Sequence, residues 1–248
     1  MPWNKTQINQ HKQAAKALNR IIKKVIRYIQ NNSAVTDVEI RKFIATQCKK
    51  YHLKSDKQKS IVAFGTDTSY VHFYAEEPRQ LKAGDLIMID IWSRLAEIGA
   101  PFADITWMLY YGKKLPRQYS DAFRIMAQAR DRAVKYLQGN LQKKIVPIGK
   151  NVDAVVRDYL AKHGHGEKFL HGTGHSLGLV RPHGRRTRIS RKGRQSLPLN
   201  IGYTIEPGIY FKNKFGMRSE IDFYIDKNYK LIITTICQKQ IIKIWKKN

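Results

Sequence analysis

The stretch Asp85-Leu86-Ile87-Met88-Ile89-Asp90-Ile91-Trp92 sets a carboxylate, Asp90, into an apolar run of strand length. A second stretch, Phe102-Ala103-Asp104-Ile105-Thr106-Trp107, does the same with Asp104. Short apolar runs bounded by polar residues predict buried β-strands. Because an ionised carboxylate is rarely buried unless it is paired or bound to a metal, these two strands are expected to serve a polar site.

Towards the amino terminus, two helices and further strands are predicted. Apolar residues recur at helical spacing over 7–31, and Thr36-Asp37-Val38-Glu39 forms a capping box for a second helix that runs to about His52. The first helix contains no acid, as in a transit peptide or a membrane-surface helix. A core-packing helix is favoured because Arg and Ser are scarce in it. Strand-sized apolar segments follow at 60–65, 70–75, 85–93 and 102–111.

Towards the carboxyl terminus the same order of elements begins again. Helices are predicted over 117–138 and 152–163, and strands over 168–175, 201–211, 219–226 and 229–237. Strands grouped after helices, without regular alternation, favour an α+β architecture with an antiparallel-rich sheet. We therefore expect two pseudo-equivalent helix-helix-strand halves, which enclose one cleft within a single domain.

Composition narrows the class of protein. The 248 residues are 42% hydrophobic and 10% aromatic, which excludes a disordered polybasic chain. No apolar run is long enough to span a bilayer, and no signal-peptide core follows the amino terminus. Two cysteines, Cys48 and Cys237, suit a reducing compartment and cannot form a disulfide framework. A cytoplasmic protein without a membrane partner is expected.

The net charge is strongly positive, because 46 Lys and Arg face 19 Asp and Glu, giving +27. Residues 1–36 contain no acid, and residues 185–194 hold six Arg or Lys. Such a field attracts nucleic acid, anionic lipid or acidic peptides. Lysine enrichment from an AT-rich genome explains the same charge without any partner. Nucleic acid is therefore a possible partner on this ground alone.

Three further ionisable residues interrupt apolar or glycine-rich strands. His175 ends His171-Gly172-Thr173-Gly174-His175, Glu206 stands within Ile201–Tyr210, and Glu220 follows Arg218-Ser219. Each residue alone has an ordinary explanation as a strand-end charge or a partner of a cation. Four carboxylates and one imidazole, each in a different strand, instead indicate a site for one or two divalent ions of the Mn, Co, Zn or Fe group.

These five segments, in this order, resemble the pita-bread metallopeptidases, which comprise aminopeptidase P, prolidase and methionine aminopeptidase. The resemblance covers about residues 10–237 and implies that 1–248 is a single catalytic domain of the pita-bread fold, with no separate amino-terminal domain. It further implies two divalent metal ions. The forms His171-Gly-Thr-Gly-His175 and Thr204-Ile-Glu206-Pro-Gly-Ile-Tyr210 are more similar to the proline-specific branch.

The resemblance also implies a role for individual residues. Asp90 chelates one metal, Asp104 and Glu220 bridge both, and His175 and Glu206 complete the second. Glu206 also shuttles a proton, a general acid/base task. His72 and His183 donate hydrogen bonds to the substrate carbonyl or the oxyanion, His171 contacts substrate, and Arg218 holds a bridging ligand in place.

The chain departs from the family pattern at three places. Ile91-Trp92 follow the first Asp where the family commonly has Gly, 14 positions separate Asp90 from Asp104, and eight separate His175 from His183. The expected function is an aminopeptidase that removes the residue before proline from peptides, with a homodimer as one possible assembly. A methionine aminopeptidase, or an inactive pita-bread protein that binds nucleic acid or protein, is the alternative.

Overall fold

The computed structural model describes residues 1–32, 34–56, 60–74 and 77–245, apart from the side chain of residue 186. Four α-helices lie within these ranges: α1 Lys5–Asn31, α2 Asp37–Lys50, α3 Arg117–Gln142 and α4 Gly149–Lys162. All four predicted helices are therefore confirmed. The capping box of α2 is present, since the Thr36 hydroxyl accepts from the Glu39 backbone N–H and the Glu39 carboxylate accepts from that of Thr36.

The strands follow the helices in each half, as expected for the α+β class. The amino-terminal half contributes β1 Leu53–Lys54, β2 Ile61–Phe64, β3 Leu86–Leu95 and β4 Ala103–Tyr111. The carboxy-terminal half contributes β5 Gly174–Leu177, β6 His183–Ile189, β7 Gly202–Ile205, β8 Gly208–Phe211, β9 Phe215–Arg218, β10 Ile221–Ile225, β11 Leu231–Ile233 and β12 Ile242–Ile244.

In the described part of the chain the strands form two mainly antiparallel five-stranded sheets, which meet at β4 and β10, and a two-stranded antiparallel sheet of β8 and β9. One five-stranded sheet has the order β1-β3-β4-β12, with β2 paired to β3, and the other has the order β11-β10-β7-β5-β6. The strand β12 is the exception, because it pairs in parallel with β4. Where the sheets meet, the Asp104 backbone N–H donates to the Asp222 carboxylate over 2.9 Å. This junction brings ionisable residues of both halves together.

Several predicted strands differ from the observed ones. Residues 70–74 form no strand and follow a 3-10 turn at Gly65–Ser69; residue 75 lies outside the described residues. The predicted 201–211 strand is divided into β7 and β8 at Glu206-Pro207, because proline lacks the N–H that a ladder needs. Only the end of the predicted 168–175 strand is extended, as the start of β5.

Helix α1 packs its apolar side against the first sheet. Ile21, Val25 and Ile29 are fully buried, together with residues of β3 and β4. The expectation of a core-packing helix is thereby confirmed. No helix in the described part of the chain is both long enough and apolar enough to cross a membrane.

Candidate metal centre

The predicted site residues all line one cavity of about 350 Å³ between the two halves. The residues in question are Asp90, Asp104, His175, Glu206, Glu220, His72, His171, His183 and Arg218. We call the first five of them the five-residue cluster. His72 and Glu220, which are 148 positions apart in the sequence, thus face the same space.

The register of β3 and β4 aims two carboxylates at this cavity. Asp90 lies opposite Thr106 and Asp104 lies opposite Trp92, so both carboxylates are on one face of the antiparallel pair. The other face carries Ile89, which packs in the core beneath α1. Alternation along the strands therefore separates a polar face from an apolar one.

Strands of the second half supply the remaining members of the cluster. The Thr204 hydroxyl of β7 accepts from the His175 backbone N–H over 3.1 Å and donates to Glu206 Oε1 over 3.0 Å. His175 Nε2 lies 3.3 Å from that same carboxylate oxygen. Glu220, which directly precedes β10, accepts from the Thr106 hydroxyl over 2.8 Å. One side chain, Thr204, thus fixes both His175 and Glu206.

The donor set fits a metal ion. Asp104, His175 and Glu220 each offer a ligand atom, and these atoms lie within 4.8 Å of one another. The Oδ1 atoms of Asp90 and Asp104 are buried and have no hydrogen-bond partner among the described residues. A buried carboxylate oxygen without a partner is costly, and a divalent cation satisfies it. Oxygen ligands with one imidazole are a donor set that Mn, Co, Zn and Fe accept.

The electrostatics of the cluster point the same way. Burial and the neighbouring carboxylates raise the pKa of Asp104 and of Glu220 well above the ordinary range. Burial also raises the pKa of Glu206 to about 7 and lowers the pKa of His175 to about 3. The imidazole is therefore neutral, as a metal ligand must be, and the positive charge of Arg218 offsets only part of the burial and repulsion that raise the pKa of Glu206 and Glu220.

Arg218 is the one described cation that contacts the cluster directly. Its guanidinium pairs with the Asp90 carboxylate, donates to the Thr106 hydroxyl over 3.0 Å and donates to the Tyr210 hydroxyl over 3.2 Å. Asp90 and Thr106 face each other across β3 and β4, so the guanidinium joins both strands to the end of β9. Arg218 therefore pairs with Asp90, whereas the prediction has it hold a bridging ligand; it reaches Glu220 only through the Thr106 hydroxyl, which both side chains contact.

Three histidines surround the cluster. His183 stacks on His175 with ring centroids 3.9 Å apart, and the eight-residue spacing is absorbed where the β5–β6 register shifts between His175 and Leu177. His72 lies at the exposed mouth of the cavity. Both ring nitrogens of His171 are engaged, one with the Gly172 carbonyl and one with the Tyr210 hydroxyl.

Two buried acids that support the site were not predicted. Asp222 is fully buried below Asp104, and burial raises its pKa well above the ordinary range. Asp153 of α4 accepts from the Thr173 N–H and hydroxyl, while its other oxygen pairs with Arg157 over 2.6 Å. Arg157 in turn donates to the His171 carbonyl over 2.5 Å. This pair holds the loop that leads into His175.

Arg130 is a fully buried cation that was not predicted either. From α3 it donates to the Ser219 hydroxyl and, over 2.9 Å, to the Gln238 carbonyl. The Gln238 side chain bonds both backbone groups of Met108 in β4. Since Ser219 directly precedes Glu220, the hydrogen bond from Arg130 to Ser219 helps to fix the backbone next to this predicted metal ligand. The available signal was its position: Arg130 falls four residues after Met126 and three before Ala133, on the apolar side of α3.

Comparisons with known proteins agree with this geometry. The model of Metallopeptidase family M24 matches residues 9–227. An Xaa-Pro dipeptidase of Pyrococcus horikoshii is 30% identical over 169 residues, which are 68% of this chain and 44% of that relative. The chain therefore spans less than half the length of this curated relative.

Solved structures match over nearly the whole chain. An X-Pro aminopeptidase from Thermotoga maritima has a TM-score of 0.85 and 27% identity, covering 98% of this chain and 64% of that one. A prolidase from Thermococcus sibiricus has a TM-score of 0.83 and 27% identity, covering 97% and 61%. The helices and sheets described above are thus arranged as in these proteins.

Proposed function

The chain belongs to metallopeptidase family M24, so the predicted resemblance and the pita-bread fold are confirmed; from this premise we propose that it is a dinuclear metal-dependent aminopeptidase specific for Xaa-Pro peptides. The observation that carries the proposal is the convergence of the five-residue cluster on one cavity. The relatives named as X-Pro aminopeptidase, prolidase and Xaa-Pro dipeptidase support the proline preference.

In this proposal the cluster holds two divalent ions. Asp90 would hold one ion, Asp104 and Glu220 would serve both, and His175 and Glu206 would hold the second. Divalent ions supply polarisation of the scissile carbonyl and activation of the attacking water. Four carboxylates balance four positive charges, which offsets the mutual repulsion that raises the pKa of Asp104 and Glu220.

Glu206 is proposed to move the proton. Its pKa is raised to about 7 by burial, which suits a group that accepts a proton and returns it near neutral pH. The Thr204 hydroxyl donates to Oε1, and the proposal assigns proton transfer to the other oxygen, Oε2, which would accept the proton of the attacking water. The same oxygen then delivers the proton to the leaving amine.

Histidines are proposed to recognise the substrate. A prolyl peptide bond is a tertiary amide and has no N–H to donate, so recognition depends on packing around the ring and on donors to nearby carbonyls. His72 and His183 line the cavity and are proposed to supply those donors, each worth a few kcal/mol in the transition state. His171, whose nitrogens are engaged, contacts substrate with its ring.

Peptide cleavage by the metal-loaded protein tests the proposal. We expect an Xaa-Pro-Xaa tripeptide to be cleaved after its first residue, and Met-Ala-Ser to be cleaved at least about tenfold less efficiently, a gap of about 1.4 kcal/mol. His72→Ala should lower kcat while metal content stays unchanged. Glu206→Gln, which cannot accept the proton, is the inactive control.

Each contrary outcome has a distinct meaning. Equal or better cleavage of Met-Ala-Ser contradicts the proline preference and favours a methionine aminopeptidase. No cleavage of either peptide by a protein that holds two metals contradicts the enzyme and favours a binding module.

A further inference from the structure

The outer face of α1 carries an unbroken line of cations. Six exposed Lys or Arg residues lie within about 80° of arc at 3.6 residues per turn. We call them the α1 cation stripe: Lys5, Lys12, Lys16, Arg20, Lys23 and Arg27. The stripe is about 33 Å long, at 1.5 Å per residue.

These charges are not neutralised within the protein. Among the described residues, no member of the stripe forms a salt bridge. Helix α1 has no acid in its 27 residues, whereas α3 contains Asp121 and Asp131, and α4 contains Asp153 and Asp158. A general excess of lysine would affect the composition of every helix in the same way. It therefore does not explain why α1, alone of the four helices, contains no Asp or Glu.

One position of the stripe opposes the local electrostatics of the helix. Lys5 is the first residue of α1, where the helix dipole disfavours a cation by roughly 0.3–1 kcal/mol. The first turn holds no acid to offset it. The line of positive charge therefore continues to the end of the helix against the preference of the helix itself.

We propose that the α1 cation stripe binds the phosphate backbone of a nucleic acid. A straight row of cations matches a linear polyanion, whose charges recur every few ångströms along its axis. Asn9, which is exposed within the stripe, and Gln13, which is exposed at its edge, offer amide groups that donate to phosphates.

A membrane surface fits this helix less well. Membrane-surface helices insert their apolar face into the lipid, but the apolar face of α1 is buried against the first sheet. The basic segment 185–194 is also less suited, since Arg188 lines the peptide cavity. Helix α1 instead lies on the face of β3 and β4 opposite Asp90 and Asp104, so a nucleic acid there does not occlude the proposed peptidase site.

Salt-dependent binding of the full chain tests the proposal. The probes are a labelled 24-base-pair DNA duplex and a single-stranded RNA of equal length, with Kd measured by anisotropy from 50 to 300 mM KCl. The α1 variant combines Lys12→Gln, Lys16→Gln, Arg20→Gln and Lys23→Gln. The matched control combines Arg117→Gln, Lys135→Gln, Lys143→Gln and Lys162→Gln, which are exposed cations of α3, of its C-cap and of α4. Both variants lower the net charge from +27 by four.

For the duplex, we expect a log–log slope of about −5 for the unaltered chain, from about 0.9 per neutralised phosphate. The α1 variant should reduce that slope by about 3 to 4 and weaken binding about tenfold or more at 100 mM KCl. The control should change the slope by less than about one.

A parallel binding assay uses vesicles of phosphatidylcholine with 20% phosphatidylserine. Three results would overturn the proposal: no binding of either nucleic-acid probe at 50 mM KCl, equal weakening of nucleic-acid binding by both variants, or an α1 variant that weakens binding to the vesicles but not to either nucleic acid. The first two favour compositional charge, and the third favours a lipid surface. Circular dichroism of both variants, and cleavage of the Xaa-Pro peptide at its unaltered rate, would exclude a folding defect.

Discussion

At the scale of single residues, Asp104 is a buried carboxylate that is surrounded by other carboxylates. Its Oδ1 has no hydrogen-bond partner in the part of the chain that the structure describes, and Glu220, Asp90 and Asp222 all add negative charge around it. The backbone N–H of Asp104 is meanwhile used to hold Asp222. Either protonation of these carboxylates or a bound cation can relieve their repulsion. The proposed pair of metal ions would relieve it while all the carboxylates stay ionised.

Metal content after dialysis tests the ligand roles. Asp104→Ala or Glu220→Ala should remove both ions, because each residue is proposed to bridge, whereas Asp90→Ala should remove mainly one. Elemental analysis of the purified proteins gives the stoichiometry. Asp158→Ala, at an exposed position on α4, is the control and should retain two. Two ions still bound in Glu220→Ala would contradict the assignment.

Residues of the cavity were predictable because burial of charge is visible in a sequence. Asp90, Asp104 and Glu206 each interrupt an apolar run, and the structure brings all three to one space. Asp222 interrupts Ile221–Ile225 in the same way. The position of Arg130 on the apolar side of α3 is a weak signal of burial, but a cation on a helix usually reaches solvent, so the tertiary packing is needed to show that this one does not.

At the scale of elements, the break between β7 and β8 creates the site. Pro207 cannot donate to a ladder, so the sheet stops at Glu206 and the Glu206 side chain is free to face the cavity.

The continuous apolar run over 201–211 predicted one strand, because an apolar run indicates burial and not hydrogen bonding. Strands β6 and β9 were not predicted for the opposite reason: β6 is rich in Arg, and β9 is a short partner of β8.

Gly174 tests how closely β5 and β7 must approach. A Cβ on Gly174 would lie 2.1 Å from the Thr204 carbonyl oxygen, so Gly174→Ala must displace the residue that fixes His175 and Glu206. We expect a loss of about 1–3 kcal/mol in the free energy of unfolding, as for overpacking, and a lower metal affinity. Urea unfolding and metal titration measure the two effects.

Gly139 is the matched control for that substitution. It lies in α3, and a Cβ there meets nothing within 4 Å. Gly139→Ala should therefore raise the free energy of unfolding by about 0.5–1 kcal/mol and leave metal affinity unchanged. If the two alanine variants behave alike, contact between β5 and β7 does not position the cluster.

At the scale of the whole molecule, the cavity exists only while the two halves stay in register. Asp90 and Asp104 come from the first half, and His175, Glu206 and Glu220 from the second. Helix α1 helps to fasten the halves, because the ring of His11 contacts the Phe102 carbonyl through Nδ1 over 2.9 Å and the Thr234 hydroxyl through Nε2 over 2.7 Å. We call these two contacts of His11 the His11 clasp. The sequence pattern predicts the two similar halves but not the clasp, since a single histidine on a helix carries no signal about a partner 223 positions away.

The clasp should make stability depend on pH. Burial lowers the pKa of His11 from 6.5 to about 4, so between these values the unfolded chain binds a proton that the folded chain does not. The contribution is therefore fully present above pH 6.5 and is lost as pH falls towards 4. Between pH 7.5 and 5.0 the expected loss is about 2 kcal/mol, from about 1.36 kcal/mol per pKa unit.

Substitution of His11 isolates this contribution from that of the other buried groups. His11→Gln should lower stability at pH 7.5, because two buried contacts are impaired, yet its stability should fall by about 2 kcal/mol less than that of the unaltered chain between pH 7.5 and 5.0. His171, His175 and the acids of the cavity titrate in both proteins, so their effects cancel in the difference. His163→Gln, at an exposed position on the same molecule, should leave the pH dependence unchanged. Parallel unfolding curves for His11→Gln and the unaltered chain at both pH values would show that His11 is not the titrating clasp, and would move the coupling of the halves to the Asp104–Asp222 junction.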